Sequence, residues 1–425
     1  MKRYDSYKDS GVQWVGEIPN HWEIIKGKYC TKVICGLPFD SNKFTKEEGY
    51  IGLIRIRDIS NNVTDMNYMG KYPKEALVHT GEILIGMDGD FNIEKWKGDD
   101  ALLNQRVCKI VDTKTVLSNY MYYLLPRPLK CINDVTYSTT VKHLSTFDIA
   151  NLTLPLPPAS EQQAIASYLD KRCDEIDKAI AKQQKRIELL QELRQNIITN
   201  AVTRGINPDA PLKDSGVEWI GQVPEHWEIM KIKHVVTTNS GSTPKNIKGK
   251  DTDEANIIWV RTTDLTGYVV KDSSEYLTEE EFKSASCPLL PEGTVLVAMY
   301  GGAGTIGKCG ILGREATINQ ALCSLIGKRG VTQLFLFYCT LAMKGYWMKF
   351  AASSRKDPNI SQEIIRNVMI PIPPEKEQNE IVQFVVSETK EIDDSIKQAN
   401  KRIALLQELK QSIITEVVTG KRKVC

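Results

Sequence analysis

Between Ser160 and Arg204 the apolar residues Leu169, Cys173, Ile176, Ile180, Ile187, Leu190, Ile197 and Ala201 return at spacings of three, four or seven. That is the heptad seam of a helix made to pack on another helix, and Gln183 and Arg194 are its two polar interruptions. Pro155, Pro157 and Pro158 cannot continue a helix backwards, and Ser160 with Gln163 three residues on has the spacing of a capping box. Gly205 and then Pro208 mark the end. At 1.5 Å per residue such a helix is roughly 65 Å long, more than a compact domain needs across its core.

A second helix of the same kind closes the chain. From Glu377 to Thr419 the seam recurs at Val385, Ile392, Ile396, Ile403, Leu406, Ile413 and Val417, behind Pro371-Ile372-Pro373-Pro374. Lys185-Arg186-Ile187 and Leu190-Gln191-Glu192-Leu193 match Lys401-Arg402-Ile403 and Leu406-Gln407-Glu408-Leu409. A single heptad stripe fits a core helix in a bundle equally well, but two copies of near-equal length favour pairing with each other. The spacing leaves parallel and antiparallel pairing open.

The duplication extends to the segments that precede the helices. Lys8-Asp-Ser-Gly-Val-Gln-Trp-Val-Gly-Glu-Ile-Pro-Asn-His-Trp-Glu-Ile-Ile25 recurs as Lys213-Asp-Ser-Gly-Val-Glu-Trp-Ile-Gly-Gln-Val-Pro-Glu-His-Trp-Glu-Ile-Met230. The chain is thus two tandem halves, each a globular part of mixed strands followed by a long helix. Identical spacing of Trp14 and Trp22 with Trp219 and Trp227 suits anchors that seat the leading segment on its own domain. A length of 425 residues with 41% hydrophobic composition suits about three packed units. No run approaches signal-peptide or membrane-span length, so a soluble cytoplasmic protein is expected. Ten cysteines without a Cys-x-x-Cys pair point to scattered reduced thiols rather than to a zinc site or a disulfide framework. A net charge of +2 decides nothing about nucleic acid, because a basic face can hide inside a balanced total.

Between the markers the halves diverge. Ile51 to Ile59 reads as a strand with Ile54 and Ile56 on one side and Arg55 and Arg57 on the other, and Ile258 to Leu265 keeps Arg261 and Asp264 where the first half has Arg55 and Asp58. Thr263 replaces Arg57. Strands over Glu82 to Met87 and Thr294 to Met299 lead into Gly-containing loops, beyond which stand Asn104-Gln105 and Asn319-Gln320. One scaffold with two loop chemistries does one kind of job on two different targets.

Gly302-Ala-Gly304-Thr-Ile-Gly307-Lys308-Cys309 satisfies Gly-x-Gly-x-x-Gly and nearly the phosphate-cradling Gly-x-x-x-x-Gly-Lys-Ser/Thr. Cys309 occupies the magnesium-binding hydroxyl position, however, and Cys309-Gly310 is a poor helix start where both motifs need one. The first half has Met87-Asp-Gly-Asp-Phe-Asn92 there, so the glycines are one domain's loop variant. Asp88, Asp90 and Glu94 lack counterparts in the second half, which favours solvated loop carboxylates or acceptors for a cytosine amino group over a metal cluster. The Pro-Pro pairs lack the neighbours of a methyltransferase loop.

Two divergent domains, each opened by Gly-Val-x-Trp-x-Gly-x-x-Pro-x-His-Trp and closed by Pro-Pro, Glu-Gln and a long helix with Leu-Leu-Gln-Glu-Leu, together resemble the specificity subunit of type I restriction–modification systems. The resemblance implies an α+β chain in pseudo-twofold tandem repeat, with two mixed α/β target-recognition domains separated by two long helices that form an antiparallel coiled coil. Its domains would be residues 1–158 and 206–374, and its spacer helices 159–205 and 375–425. It further implies a non-catalytic subunit that reads a bipartite double-stranded DNA target, docks two methyltransferase subunits and adds restriction/translocase subunits. It would have no cofactor of its own, and S-adenosylmethionine, ATP and Mg would serve the partners in adenine methylation or restriction.

Base-reading residues do not transfer by motif in such a family, so the candidates rest on chemistry. Arg55 and Arg261, shared by both halves, suit phosphate contacts. Residues that differ at matched places suit base reading: Arg57 against Thr263, Asp88 and Asn92 against Tyr300 and the glycines, Lys142 and His143 against Pro358 and Asn359. Asn104, Gln105, Asn319 and Gln320 suit adenine edges or a loop-fixing role, and Thr243, Lys245 and Lys356 complete the DNA-binding candidates. Two rival readings are an enzyme built on the Gly302 to Lys308 loop and a coiled-coil adaptor, which would leave two differing domains unexplained.

Overall fold

The computed structural model describes residues 3–135, 142–244, 255–285, 287–301, 304–328, 330–351 and 359–424. Two compact units divide the chain, one of Met1–Gln183 with Lys401–Cys425 and one of Gln184–Asn400. Each long helix therefore contributes a segment to both units, the central one spanning Ala159–Arg204 and the C-terminal one Glu375–Val418.

The first unit carries an antiparallel sheet in the order Ile93–Lys95, Ile83–Gly86, Val107–Val111 and Lys32–Cys35. Successive residues of a strand face opposite sides, and both sides here are covered. Ile85 and Cys108 join the core that includes the long helices, while Leu84 and Val107 join a second core around Ile54 and Trp96. A mixed five-stranded sheet adjoins it, with Ala101–Leu103 parallel to Ile51–Ile54. The second unit repeats this plan with the sheet Val236–Ser240, Leu322–Gly327, Val295–Ala298, Cys309–Leu312, Val269–Val270, and again with a parallel pair, Trp259 beside Thr317. The architecture is α+β, as expected.

Within each unit the helix segments run antiparallel. In the first, Lys410 Nζ meets Asp177 Oδ1 at 2.7 Å and Arg422 lies 5.7 Å from the Tyr168 ring centre. In the second, Arg194 Nε forms an ion pair with Asp393 Oδ1 at 2.9 Å, and a Cβ on Gly205 would lie 3.6 Å from Glu377 Oε1. Gly205 and Gly420 both adopt positive φ at the helix ends, 74° and 72°. Gly420 has a second reason to be glycine, since a Cβ there would fall 2.3 Å from Pro19 Cδ.

The helix starts depart from the expected capping box. Ala159 is already helical, and the Pro158 carbonyl accepts from the Glu161 and Gln162 amides. Gln163 instead donates to Ser167 Oγ at 3.1 Å, so the Ser160 to Gln163 spacing is incidental. The joint to the globular part is the adjacent Glu-Gln pair. Buried Gln162 accepts from Leu117 N and donates to the carbonyls of Thr115 and Pro157, and buried Gln378 does the same with Thr332, Gly330 and Pro373. Trp22 and Trp227 are fully buried, and Trp219 donates its indole N–H to Met369 O at 3.0 Å, so these tryptophans anchor the leading segments.

The strand expected over Ile51 to Ile59 stops at Ile54 and becomes a four-residue helix, Ile56–Ile59. The cause is local: Arg55 N donates to Asp58 Oδ2 at 2.9 Å, a cap that turns the chain. In the second unit Arg261 N donates to Asp264 Oδ2 at 2.8 Å and a 3₁₀ turn follows over Thr262–Asp264.

Candidate functional site

In the first unit three segments that are far apart in sequence are sewn together at the end of strand Ile83–Gly86. Met87 N donates to Arg106 O at 2.9 Å, Leu144 N to Met87 O at 2.7 Å, and Gly89 N to Lys142 O at 3.0 Å. A bridge pairs Asp88 with His143. Side chains follow the backbone together: His143 Nδ1 lies 2.7 Å from Asp88 Oδ1, and Arg106 Nε lies 3.6 Å from Asp88 Oδ2. Lys142 is turned back, its ammonium donating to Asn133 O at 2.6 Å and Asn133 Oδ1 at 3.0 Å. Asn133 in turn donates to Gly89 O.

The second unit uses the same stitches around different residues. Met299 N donates to Ala321 O and Ile360 N to Met299 O, each at 2.8 Å. Tyr300 therefore stands where Asp88 does, Ala321 where Arg106 does, and Asn359 where His143 does. Burial raises the Tyr300 hydroxyl pKa, so it stays a protonated donor. The glycines at 301, 304 and 307 all have positive φ. After them comes the strand Cys309–Leu312, not a helix, so no helix N-terminus is there to hold a phosphate. Gly302 lies outside the described residues.

The shared Asn-Gln pairs sit where backbones approach closely. Leu37 N donates to Leu103 O at 3.0 Å, and Ser242 N to Ile318 O at 3.2 Å. A Cβ on Gly36 would lie 2.0 Å from Asn104 O, and one on Gly241 1.8 Å from Ile318 O. Asn104 Oδ1 accepts from Gln105 N at 2.8 Å and Asn319 Oδ1 from Ala321 N at 3.1 Å, so both asparagines hold their own turns. Gln105 and Gln320 are both exposed, and Gln320 Oε1 accepts from the Thr243 hydroxyl.

The shared arginines are engaged internally. Arg55, only 18% exposed, pairs with Asp58 at 3.1 Å and with Asp65. Arg261 donates to Ser274 Oγ at 2.6 Å and lies 3.5 Å from Glu275. Arg57 and Asn92 are exposed. Thr263 lines a different feature, a cleft of about 410 Å³ with Arg194, Tyr268 and Lys308. There Arg194 stacks 4.7 Å from the Tyr268 ring centre, and Tyr268 donates to Asp393 at 2.8 Å. Lys245 and Lys356 lie outside the described residues.

The structure thus gathers Asp88, Lys142 and His143, with Gln105 beside them, and adds Arg106, which the sequence comparison passed over. The signal was present: Arg106 faces Ala321 directly after the matched Asn-Gln pairs. The gathered groups are hydrogen-bond donors and acceptors on an open rim. Among the described residues no group of three or more His, Cys, Asp or Glu could hold a metal ion, and no helix is long and apolar enough to cross a membrane.

Comparison with known proteins adds an independent line. The family model described as "Type I restriction modification DNA specificity domain" matches twice, at residues 19–190 and 224–405. The specificity subunit of the type I restriction enzyme EcoBI from Escherichia coli is 28% identical over 422 residues, 97% of this chain and 88% of that one. The MjaVIII specificity subunit of Methanocaldococcus jannaschii is 24% identical over 417 residues, covering 96% and 94%. A solved chain from work on complex assembly and conformational transition of the type I R-M system shares the fold, with a TM-score of 0.63 at 16% identity over 94% of this chain and 98% of its own.

Proposed function

The chain belongs to the family of type I restriction–modification DNA specificity subunits, and from that premise we propose that its two units read the two halves of a split double-stranded DNA target. As a specificity subunit it is the non-catalytic member of its complex. Residues 1–158 and 206–374 are the recognition domains, and helices 159–205 and 375–425 the spacer between half-sites. The observation that carries this reading is one backbone frame with two side-chain sets: Met87, Arg106 and Leu144 are stitched as Met299, Ala321 and Ile360 are, while Asp88 and His143 give way to Tyr300 and Asn359. A shared frame presents a reader to the groove, and the differing donors and acceptors discriminate base edges.

Gln105 and His143 in the first unit, and Tyr300 and Asn359 in the second, read bases, with Asp88 holding His143 in place; exposed Arg57 and Asn92 flank the first reading surface. Arg55 and Arg261 shape the turns beside it, and any phosphate contact they make comes through guanidinium edges that their carboxylate partners leave free. Two methyltransferase subunits bind the assembly, carry S-adenosylmethionine and methylate adenine. Restriction/translocase subunits bring ATP and Mg. The complex works in the cytoplasm.

Methylation mapping of DNA from cells that express the chain with its methyltransferase partner tests this. A single split sequence carrying methyladenine in both halves is expected. Methylation at a continuous sequence, or none above the partner alone, would refute it.

A further inference from the structure

Arg106 has the geometry of a base reader rather than of a phosphate contact. Its side chain is 56% exposed, yet its Nε is held 3.6 Å from the Asp88 carboxylate, and its carbonyl is fixed by Met87 N at 2.9 Å. Asp88 is less exposed, at 23%, and its other oxygen is taken by His143 at 2.7 Å. Arg106 Nη1 also lies 3.5 Å from His143 Nδ1. The two contacts to that nitrogen compete, and the shorter one wins: an Nδ1–H that donates to Asp88 has no lone pair left to accept from Arg106. Arg106 is therefore oriented through Nε, and its outer guanidinium edge is not consumed by the histidine.

Three consequences follow from that arrangement. A carboxylate beside the guanidinium repels DNA phosphates, so the pair is poorly suited to general backbone attraction. It also restrains a side chain that otherwise has large rotamer entropy, which lowers the cost of a directional contact. A planar fork offering two parallel N–H donors matches O6 and N7 of guanine in the major groove. In the second unit the matched residue, Ala321, offers no side-chain donor, so this contact belongs to one half-site only.

We infer that Arg106, positioned by Asp88, reads one guanine in the half-site of the first unit. The inference rests on the reading of each unit as a DNA-recognition head, and its test separates the two. In cells expressing the full chain with its methyltransferase partner, wild type, R106A, R106Q and D88N are compared by methylation mapping. R106A and R106Q should relax one G·C position of one half-site by about 5- to 150-fold in discrimination, leaving the other half-site intact. D88N should relax the same position more weakly, an effect that a merely structural carboxylate would not confine to one base pair. Unchanged motifs with uniformly weaker methylation would make Arg106 a phosphate contact and overturn the inference. Should the variants lose all methylation, the wild-type complex decides: it is bound to duplexes of its mapped sequence carrying 7-deazaguanine at each guanine in turn. Sensitivity at one guanine of the first half-site is expected, and insensitivity at all of them overturns the assignment. Failure of the head reading itself would look different, with no split motif for wild type.

Discussion

Glu161, in the first turn of the central helix, is the residue on which the leading segment of the first unit hangs. It accepts from Trp22 Nε1 at 2.9 Å and Tyr4 Oη at 3.0 Å and pairs with His21 at 2.6 Å. Burial alone would raise its pKa, but the hydrogen bonds from Trp22, His21 and Tyr4 outweigh burial and lower it. In the second unit Glu377 pairs with His226 at 2.8 Å, but Trp227 Nε1 is buried with no partner among the described residues. E161A strands a buried indole N–H and should cost about 2 kcal/mol in chemical denaturation of the first unit, and E377A clearly less. Equal costs would contradict this. Because the folded carboxyl is depressed, its contribution is present above the unfolded pKa of about 4.3 and is lost as pH falls through the folded value. The stability gap between wild type and E161Q should therefore close on acidification below about pH 4. Residues of this kind were only half legible. The Pro-x-His-Trp and Glu-Gln markers stood out by repetition, but what they bond to depends on a fold that a spacing does not contain. Arg55 shows the same limit: alternation suggested an outward arginine, and a cap from Asp58 three residues on bent the strand.

At the scale of elements, the heptad seam located both helices to within a residue or two, because 3.5-residue periodicity over this length has few alternative meanings. It was less accurate about burial. Ile198, not Ile197, is fully buried near the end of the central helix, with Ala201 and Val202, because there the helix also packs against the second unit's globular core. A stripe drawn for one partner helix shifts when a second surface joins. The repeated Leu-Leu-Gln-Glu-Leu motif leaves a matched pair outside the seam in each copy: Leu189 and Leu193 are 54% and 50% exposed, Leu405 and Leu409 54% and 46%. For the two methyltransferase partners proposed above, a duplicated apolar pair predicts one docking site per copy. Burying such a leucine contributes roughly 1.5 to 3 kcal/mol. Serine at both positions of one copy should lower the bound methyltransferase from two subunits to one in native mass spectrometry, and at both copies should abolish binding. Full occupancy in the double-pair variant would show that the subunits dock elsewhere.

The whole molecule was legible mainly through its tandem repeat. Two copies of one signature carried the resemblance, whereas length alone suggested about three packed units and the chain divides into two, and bulk charge, at +2, decided nothing about nucleic acid. The proposed recognition surfaces were the least legible part, because loops that differ between copies share only backbone stitches, and those appear once Met87 and Met299 are seen to hold neighbours at matched positions. Independent reading by two heads is the central claim, and exchange of one head tests it directly. Roughly residues 20 to 155 are replaced by the matching segment of a relative with a different target, and the methylated sequence is mapped with the partner subunits present. One half-site should change to that of the donor while the other stays as in the parent; a motif in which both halves change, or neither, would contradict the account.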